Sequence, residues 1–455
     1  MGNLLRISVA FCLLGSLTPI VRTAAQAPAA KRPMTFLDVQ QMRTTASHTP
    51  SPDGKWMLYT VSTMDWKEAK RQSDIHIVSV TAGLSSSRQL TFTKEHNESS
   101  PRWARDGTSF VFLSNRDAPE NAASRNQLYL MRRDGGEARR ITDAREGVAD
   151  FAFSKNGSWI GYKSGKTGDE QLYRLNVKDI DKPAEQLTKH STGVDNWRWA
   201  PDDSRIYFTS PDVIDPDEKA RRDRKFTVNV RNAETSLASL WTLELDPHKT
   251  KRLTQDDAYS VGNFTISDDG KWVAYQGGSA KRYERNITAA TLYGDLYLFD
   301  ASSGRIERLS RNSEVGESGL SFSPDSRWLA FSAPDDMEKF TMTNARVYLR
   351  AVNDHGQPFR QLGGTFDGDV SVGFWSKDGG TIYFNEGWKA TNQVFALDVA
   401  TGTVRQVTNE QGSLSLTRDD DSGVLLMSYA AGQRRPPCSW CRAWSRRPRA
   451  PRGSR

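Results

Sequence analysis

Cys438-Ser-Trp-Cys441 is the stretch whose spacing comes nearest to a chemical motif, because cysteines three apart can exchange a disulfide or supply half of a zinc site. Zinc would need two further ligands. The third cysteine, Cys12, lies at the other end of the chain, and no histidine is close to either place. Pro436 and Pro437 precede the pair, which reads as an accident of composition. The six histidines, His48, His76, His96, His190, His248 and His355, are scattered, with no H-E-x-x-H pair or phosphate-cradling glycine loop beside them. They read as ordinary loop or strand-edge residues. The string closest to a G-x-S-x-G nucleophile elbow is Gly316-Glu-Ser-Gly319, and its spacing is wrong. Aspartates are plentiful but recur at every turn, and a role shared by every repeat is structural. No catalytic, cofactor-binding or metal-binding residue is assigned, and no cofactor is expected.

The recurring aspartates belong to the unit from which the chain is built. Ser323-Pro-Asp-Ser-Arg-Trp-Leu-Ala-Phe331 reads as a strand end, a tight turn and a strand with alternating apolar positions. Copies start at Ser51, Ala104, Ser154, Ala200, Ser267 and Ser376, with a degraded one near Thr417. The turn residues Asp53, Asp106, Asn156, Asp202, Asp269, Asp325, Asp378 and Asp420 are spaced by 53, 50, 46, 67, 56, 53 and 42 residues. A second repeat runs between them, a strand such as Gln127-Leu-Tyr-Leu130 followed by a Leu-Thr ending such as Ile141-Thr142. Four short strands in each repeat of about 50 residues predict an all-β fold. The expected architecture is a seven- or eight-bladed β-propeller of four-stranded antiparallel blades, the last blade incomplete.

The 455 residues carry a formal charge of +7, but eight arginines lie in the last 22 residues and two in the first 27, neither stretch holding an acid. The body keeps 52 basic against 55 acidic residues, so the reading excludes nucleic acid as a partner. Residues 1–27 read as a secretory signal: Arg6, an apolar run from Ile7 to Leu17, Pro19, and small residues that favour cleavage after Ala25. With no other apolar stretch long enough to cross a bilayer, the expected location is periplasmic or secreted, with no membrane span after cleavage. Residues 28–47 form a linker and leader in which Phe36 to Met42 can make a short helix. The propeller is expected over 48–432. The mixed-charge insertion from Pro211 to Lys225 reads as a solvated helix or loop, with smaller insertions at 280–292 and 337–344. Residues 433–455, rich in Arg and Pro, are expected to be disordered and to reflect a shifted reading frame.

From Met34 to Tyr429 the sequence resembles the propeller of prolyl oligopeptidase-family serine peptidases, particularly the dipeptidyl-peptidase-IV-like and acylaminoacyl-peptidase-like secreted bacterial members. The repeated Ser-Pro-Asp-Gly turns, Ser73-Asp-Ile-His76, Asp134-Gly-Gly-Glu-Ala-Arg-Arg-Ile-Thr142, Asp217-Glu-Lys-Ala-Arg-Arg222 and the Leu-Thr endings carry the resemblance. The Tol-system periplasmic protein shares the repeat alone. The resemblance implies an α/β-hydrolase domain with Ser, Asp and His behind the propeller, and a propeller that filters peptides toward it. Neither an elbow nor the roughly 250 residues of such a domain can be read here. The family's paired-glutamate clamp has no match, Glu68 near Trp66 being single.

Two functions follow from this reading. The first is a non-catalytic, substrate-gating propeller of an exported serine peptidase whose hydrolase domain is missing from this chain, with peptides as its partners when that domain is present. The alternative is a free-standing periplasmic propeller that binds a protein or cell-envelope partner. The purified chain is expected to process chromogenic dipeptidyl and acylaminoacyl substrates at background rates only. Turnover that a serine-directed fluorophosphonate abolishes would overturn this expectation.

Overall fold

Each repeat begins with a turn that its own side chains hold shut. The computed structural model describes residues 32–117, 125–226, 237–254, 259–279, 294–310, 317–336 and 342–431. In the first turn the Ser51 hydroxyl donates to Asp53 Oδ1 at 2.6 Å and accepts the Trp56 N–H at 3.0 Å, while Asp53 also takes the Lys55 N–H at 3.1 Å. The same three bonds recur at Ser267/Asp269, Ser323/Asp325 and Ser376/Asp378. Gly54 closes the turn at φ +66°, a conformation that costs glycine nothing. Neighbouring turns also touch: the Lys155 and Asn156 N–H groups donate to the Asp203 carboxylate at 2.6 and 2.7 Å, and the Asp269 N–H donates to Ser326 Oγ at 3.1 Å.

The turns join the first two strands of antiparallel sheets. Among the described residues there are seven four-stranded sheets, spanning 44–89, 98–140, 148–186, 197–252, 259–308, 318–362 and 374–406, and an eighth of two strands at 413–430. The described residues thus form a β-propeller of seven complete blades and a half-blade. The first strands of consecutive blades adjoin: Trp103 Nε1 donates to the Thr49 carbonyl at 2.9 Å, and Trp199 Nε1 to the Ala152 carbonyl at 3.4 Å. These strands therefore face the centre of the ring. Blade 1 begins at Thr44, inside the region expected to be leader. Thr44 to Thr49 is polar and largely exposed, so it carries no apolar alternation from which a strand can be read. The leader also supplies helix α1, Phe36–Gln40, and the insertion in blade 4 supplies α2, Pro216–Asp223. The signal, the tail, residues 280–293 and most of the 337–344 insertion lie outside the described residues.

The Leu-Thr endings have a physical reason. The hydroxyl of Thr142 accepts the Leu128 N–H at 2.9 Å and donates to Gln127 Oε1 at 2.8 Å. Gln127 Nε2 then holds the Ala144 carbonyl of the linker to the next blade at 2.8 Å. Gln171 with Thr188 and Gln393 with Thr408 repeat the arrangement. Between the sheets lie the apolar clusters. Leu58, Ile75 and Ile77 of blade 1 meet Trp103, Phe110 and Tyr129 of blade 2, and an equivalent cluster fills each successive seam as far as Val394, Leu414 and Leu416 between blade 7 and the half-blade. Gly161 has a packing role, since a Cβ there would sit 2.8–2.9 Å from the rings of Trp197 and Trp199.

Ser323→Ala should lower stability at pH 7 by about 1–2 kcal/mol, because it strips a hydrogen-bond partner from both Asp325 and the Trp328 N–H. The Ser323 hydroxyl is also the main cause that holds the Asp325 carboxyl below its usual range. A depressed folded pKa adds stability that is present above the unfolded value and lost as pH falls below about 4. The cost of the substitution should therefore shrink at pH 3. Urea midpoints of both proteins at the two pH values test this, and an equal cost at both would contradict it.

Candidate functional site

The sequence assigned no catalytic residue, and the structure places the histidines in packing and pairing roles. His48 and His76 flank Tyr59 with ring centroids 6.3 and 5.5 Å away. His190 packs edge-on to Trp241 at 4.5 Å, and its Nδ1 lies 3.1 Å from both Thr192 Oγ1 and Ser210 Oγ. Ser210 is fully buried and donates to the Gly193 carbonyl at 2.7 Å, so this pair of serine and histidine presents no nucleophile to solvent. Burial lowers the His190 pKa, which keeps the ring neutral. His248 pairs with Glu185 and His355 with Glu307. Glu68 and Trp66 sit at the tip of the hairpin between Trp56–Asp65 and Lys70–Ser79, where the Lys67 and Glu68 N–H groups donate to Asp65. Cys12, Cys438 and Cys441 lie outside the described residues. Among the described residues no group of three or more His, Cys, Asp or Glu is placed to hold a metal, and no helix is long and apolar enough to cross a membrane.

A groove of about 790 Å³ lies between blades 2 and 3, lined in part by Tyr162 and Tyr173, whose rings stack at 5.3 Å. Three of its cations are already engaged, Arg139 with Asp181, Arg140 with Asp143 and Lys182 with Asp179. Little of its charge is left to recognise a ligand.

Two surface features without partners among the described residues lie at the two ends of the propeller sequence. Helix α1 is closed by a capping box in which Thr35 and Asp38 exchange hydrogen bonds, and Arg32 pairs with Asp38 at 2.6 Å. That contact holds the Asp38 carboxyl well below the usual carboxylate range. None of the helix residues is buried, and Met34, Phe36, Leu37, Val39 and Met42 are all exposed, Phe36 to 71%. Five large apolar side chains within nine residues cover nothing in the described propeller.

The other end is the half-blade. Its strand Leu425–Ala430 pairs with Ser413–Arg418, and among the described residues its outer edge has no partner strand. On its inner side the turn reaches across to the start of the chain. Asp421 pairs with Arg102 at 3.3 Å, the Asp421 carbonyl accepts Arg105 Nη1 at 3.0 Å, and Val424 lies against Gly54. Among the described residues no buried apolar cluster joins the half-blade to blade 1. The ring is thus drawn together at its turns, by Val424 against Gly54 of blade 1 and by the Asp421 contacts with Arg102 and Arg105 of blade 2, surface polar contacts worth about 0–1 kcal/mol each, where every other seam has a core. Sequence reasoning found the short leader helix and the broken last repeat. It missed the Asp421 contact, since a pair of residues more than 300 positions apart leaves no local signal.

No protein-family model matches the chain. Over 378 residues it is 24% identical to dipeptidyl-peptidase 5 of Porphyromonas gingivalis, covering 79% of this chain and 47% of that protein. Over 388 residues it is 23% identical to a probable dipeptidyl-peptidase 5 of Arthroderma benhamiae, covering 80% and 48%. The chain spans about half the length of these relatives. Among solved structures, Porphyromonas gingivalis dipeptidyl peptidase 4 shares the fold with a TM-score of 0.56 and 12% identity, over 84% of this chain and 56% of that one. The chain is therefore a β-propeller homologous, over about four fifths of its length, to roughly half of dipeptidyl-peptidase 5.

Proposed function

We propose that this propeller is the non-catalytic, substrate-gating part of an exported serine peptidase of the dipeptidyl-peptidase type, acting on peptides together with an α/β-hydrolase domain. The observation that carries the reading is α1. Its apolar side chains are ordered by a capped helix yet buried against no blade, which suits a surface made to meet a second domain. The half-blade supports the same reading, because an unpaired strand edge recruits further strands. The peptidase chemistry comes from the relatives, whose names describe dipeptidyl-peptidases. Gating rests on the ring itself, which a peptide must thread or bypass to reach a hydrolase docked on one face. Export rests on residues 1–27, and the linker, propeller and tail boundaries belong to the same proposal. The alternative, a free-standing propeller that binds an envelope protein, would use the same exposed surface.

The nucleotides that follow codon 433 distinguish the two. A nearby frame encoding further strands and a hydrolase with G-x-S-x-G supports the peptidase, and stops in every frame with no hydrolase behind them support the alternative. At the protein level, the double substitution Phe36→Ser and Val39→Ser should leave the thermal midpoint of the isolated propeller within about 1 °C, because surface changes cost within about 0.5 kcal/mol. In the protein with its hydrolase frame restored, the same substitutions should lower dipeptide release. A clear loss of midpoint in the isolated propeller would show that α1 packs on the blades and would remove its support for the proposal.

A further inference from the structure

Two seams of the ring carry paired acids at positions where the other seams carry none. Counting eight residues back from the turn aspartate or asparagine gives the residue that opens each blade next to its neighbour. It is a buried valine in four blades, Val148, Val194, Val261 and Val370. In blades 2 and 6 it is a glutamate, Glu98, fully buried, and Glu317, 2% exposed. Its neighbour across the seam, at the start of the third strand of the preceding blade, is Gln127, Gln171, Ser239 or Arg346 beside the valines. Beside Glu98 and Glu317 it is an aspartate, Asp74 and Asp295. The two substitutions occur together, twice, and the valine seams carry neither.

Each acid pair is given one guanidinium. At the seam of blades 1 and 2, Arg116 pairs with Glu98 at 3.1 Å, and Thr93 and Ser114 donate to the same carboxylate. Asp74 accepts Thr91 Oγ1 at 3.2 Å and Gln72 Nε2 at 2.9 Å. At the seam of blades 5 and 6 the guanidinium goes to the other member, Arg308 pairing with Asp295, which also accepts the Ser310 hydroxyl. Glu317 faces Ala333 where Glu98 has Ser114, and neither of its carboxylate oxygens receives a hydrogen bond of good geometry. In both places, among the described residues, one carboxyl is left without a counter-charge, the half-buried Asp74 and the buried Glu317. Burial, with Glu98 beside it, pushes the Asp74 carboxyl up to about 6. Burial pushes Glu317 up to about 7, the Ser310 hydroxyl opposing and the Asp295 charge adding to the rise. Beside the first pair's guanidinium, Asp117 accepts the Tyr129 hydroxyl, and Arg116 lies over the Tyr129 ring.

We propose that Asp74–Glu98 and Asp295–Glu317 are proton-dependent latches, each closed by one guanidinium and one proton, so that the ring loosens at these two seams when the proton leaves. Two like charges in a low-dielectric seam repel strongly, and a lost proton also leaves a second carboxylate there without a counter-charge among the described residues. A raised folded pKa means that the folded state binds more protons than the unfolded one, so stability falls as pH rises from about 4, the unfolded value, through the folded values near 6 and 7. The turn aspartates titrate lower and in the opposite sense, so the two effects separate on the pH axis. The inference concerns the ring alone and does not depend on the peptidase reading.

Hydrogen exchange on the unmodified chain tests it with an internal control. The Ile75 and Leu296 N–H groups, bonded to Thr91 and Ser310, sit at the acid seams, while the Leu128 and Leu172 N–H groups make the same bonds at neutral seams. After correction for intrinsic exchange, protection at Ile75 and Leu296 should fall roughly tenfold more than at the controls between pH 5 and pH 8, one pKa unit being a factor of ten. Asp74→Asn with Glu317→Gln, which fixes both latches in a neutral form, should abolish that difference and raise the thermal midpoint at pH 8 by about 2–4 °C. If that protein fails to fold, Asp295→Gln with Glu317→Val writes a neutral seam into blades 5 and 6 and should flatten the response at Leu296 alone. Equal pH responses at all four amides of the unmodified chain would overturn the proposal.

Discussion

A hydroxyl at the end of six of the seven complete blades decides where the chain can leave one sheet and enter the next. The fourth strand of a blade is only two to five residues long, so it contributes few ladder bonds of its own. Thr91, Thr142, Thr188, Thr254, Ser310 and Thr408 each take the N–H of the residue that opens the third strand's apolar run, at 2.8–3.1 Å. In five of the complete blades the same hydroxyl also engages a Gln or Asp one residue earlier at 2.8–3.4 Å. That side chain sits where the linker turns toward the next blade, so a single local bond fixes both the end of one sheet and the start of another. The apolar clusters between sheets can then form, because their members come from two blades held in one register.

This hydroxyl also explains what could be read in the sequence. Leu-Thr endings and Ser-x-Asp turns are local hydrogen-bonding devices, so they appear as short strings at regular spacing, and the propeller repeat follows from them with seven or eight blades left open. The strand Thr44–Pro50 escaped because its side chains face the centre of the ring, where polar residues serve as well as apolar ones. The acid seams escaped for a different reason. Glu317 stood in a string that could be judged only as a failed nucleophile elbow, and Asp295 passed as the opening of a strand. Their meaning depends on which residue faces which across a seam, and that is a property of register between blades.

The two families of carboxyls show how environment sets role. Asp53, Asp325 and Asp378 lie at the surface, receive a serine hydroxyl and a backbone N–H, and are held below the usual range. Asp74 and Glu317 are the same chemical group, enclosed between sheets beside a second acid, and are held above it. The first kind favours the charged form and stabilises the fold above about pH 4. The second favours the neutral form, so its stability cost grows over the range where the first is already complete. A ring with both should be most stable in mildly acidic solution.

The weak closure between the half-blade and blade 1 fits into this picture. Six interior seams, and the contact of blade 7 with the half-blade, carry buried apolar clusters, whereas among the described residues the half-blade reaches blade 1 through Val424 against Gly54, and its Asp421 bonds to Arg102 and Arg105 of blade 2. Strain in a ring relaxes where resistance is least, so opening should begin between the half-blade and blade 1. The seam between blades 1 and 2 is next to that gap and contains one of the acid pairs. Loss of its proton would leave blade 1 weakly held on both sides, joined to the half-blade only by turn contacts and to blade 2 across a charged seam. The seam of blades 5 and 6 lies on the opposite part of the ring, where a second loosening lets the two arcs swing. Two softened seams and one thin closure divide the ring into arcs that can move as units, which is the geometry a ring needs to widen without unfolding a blade.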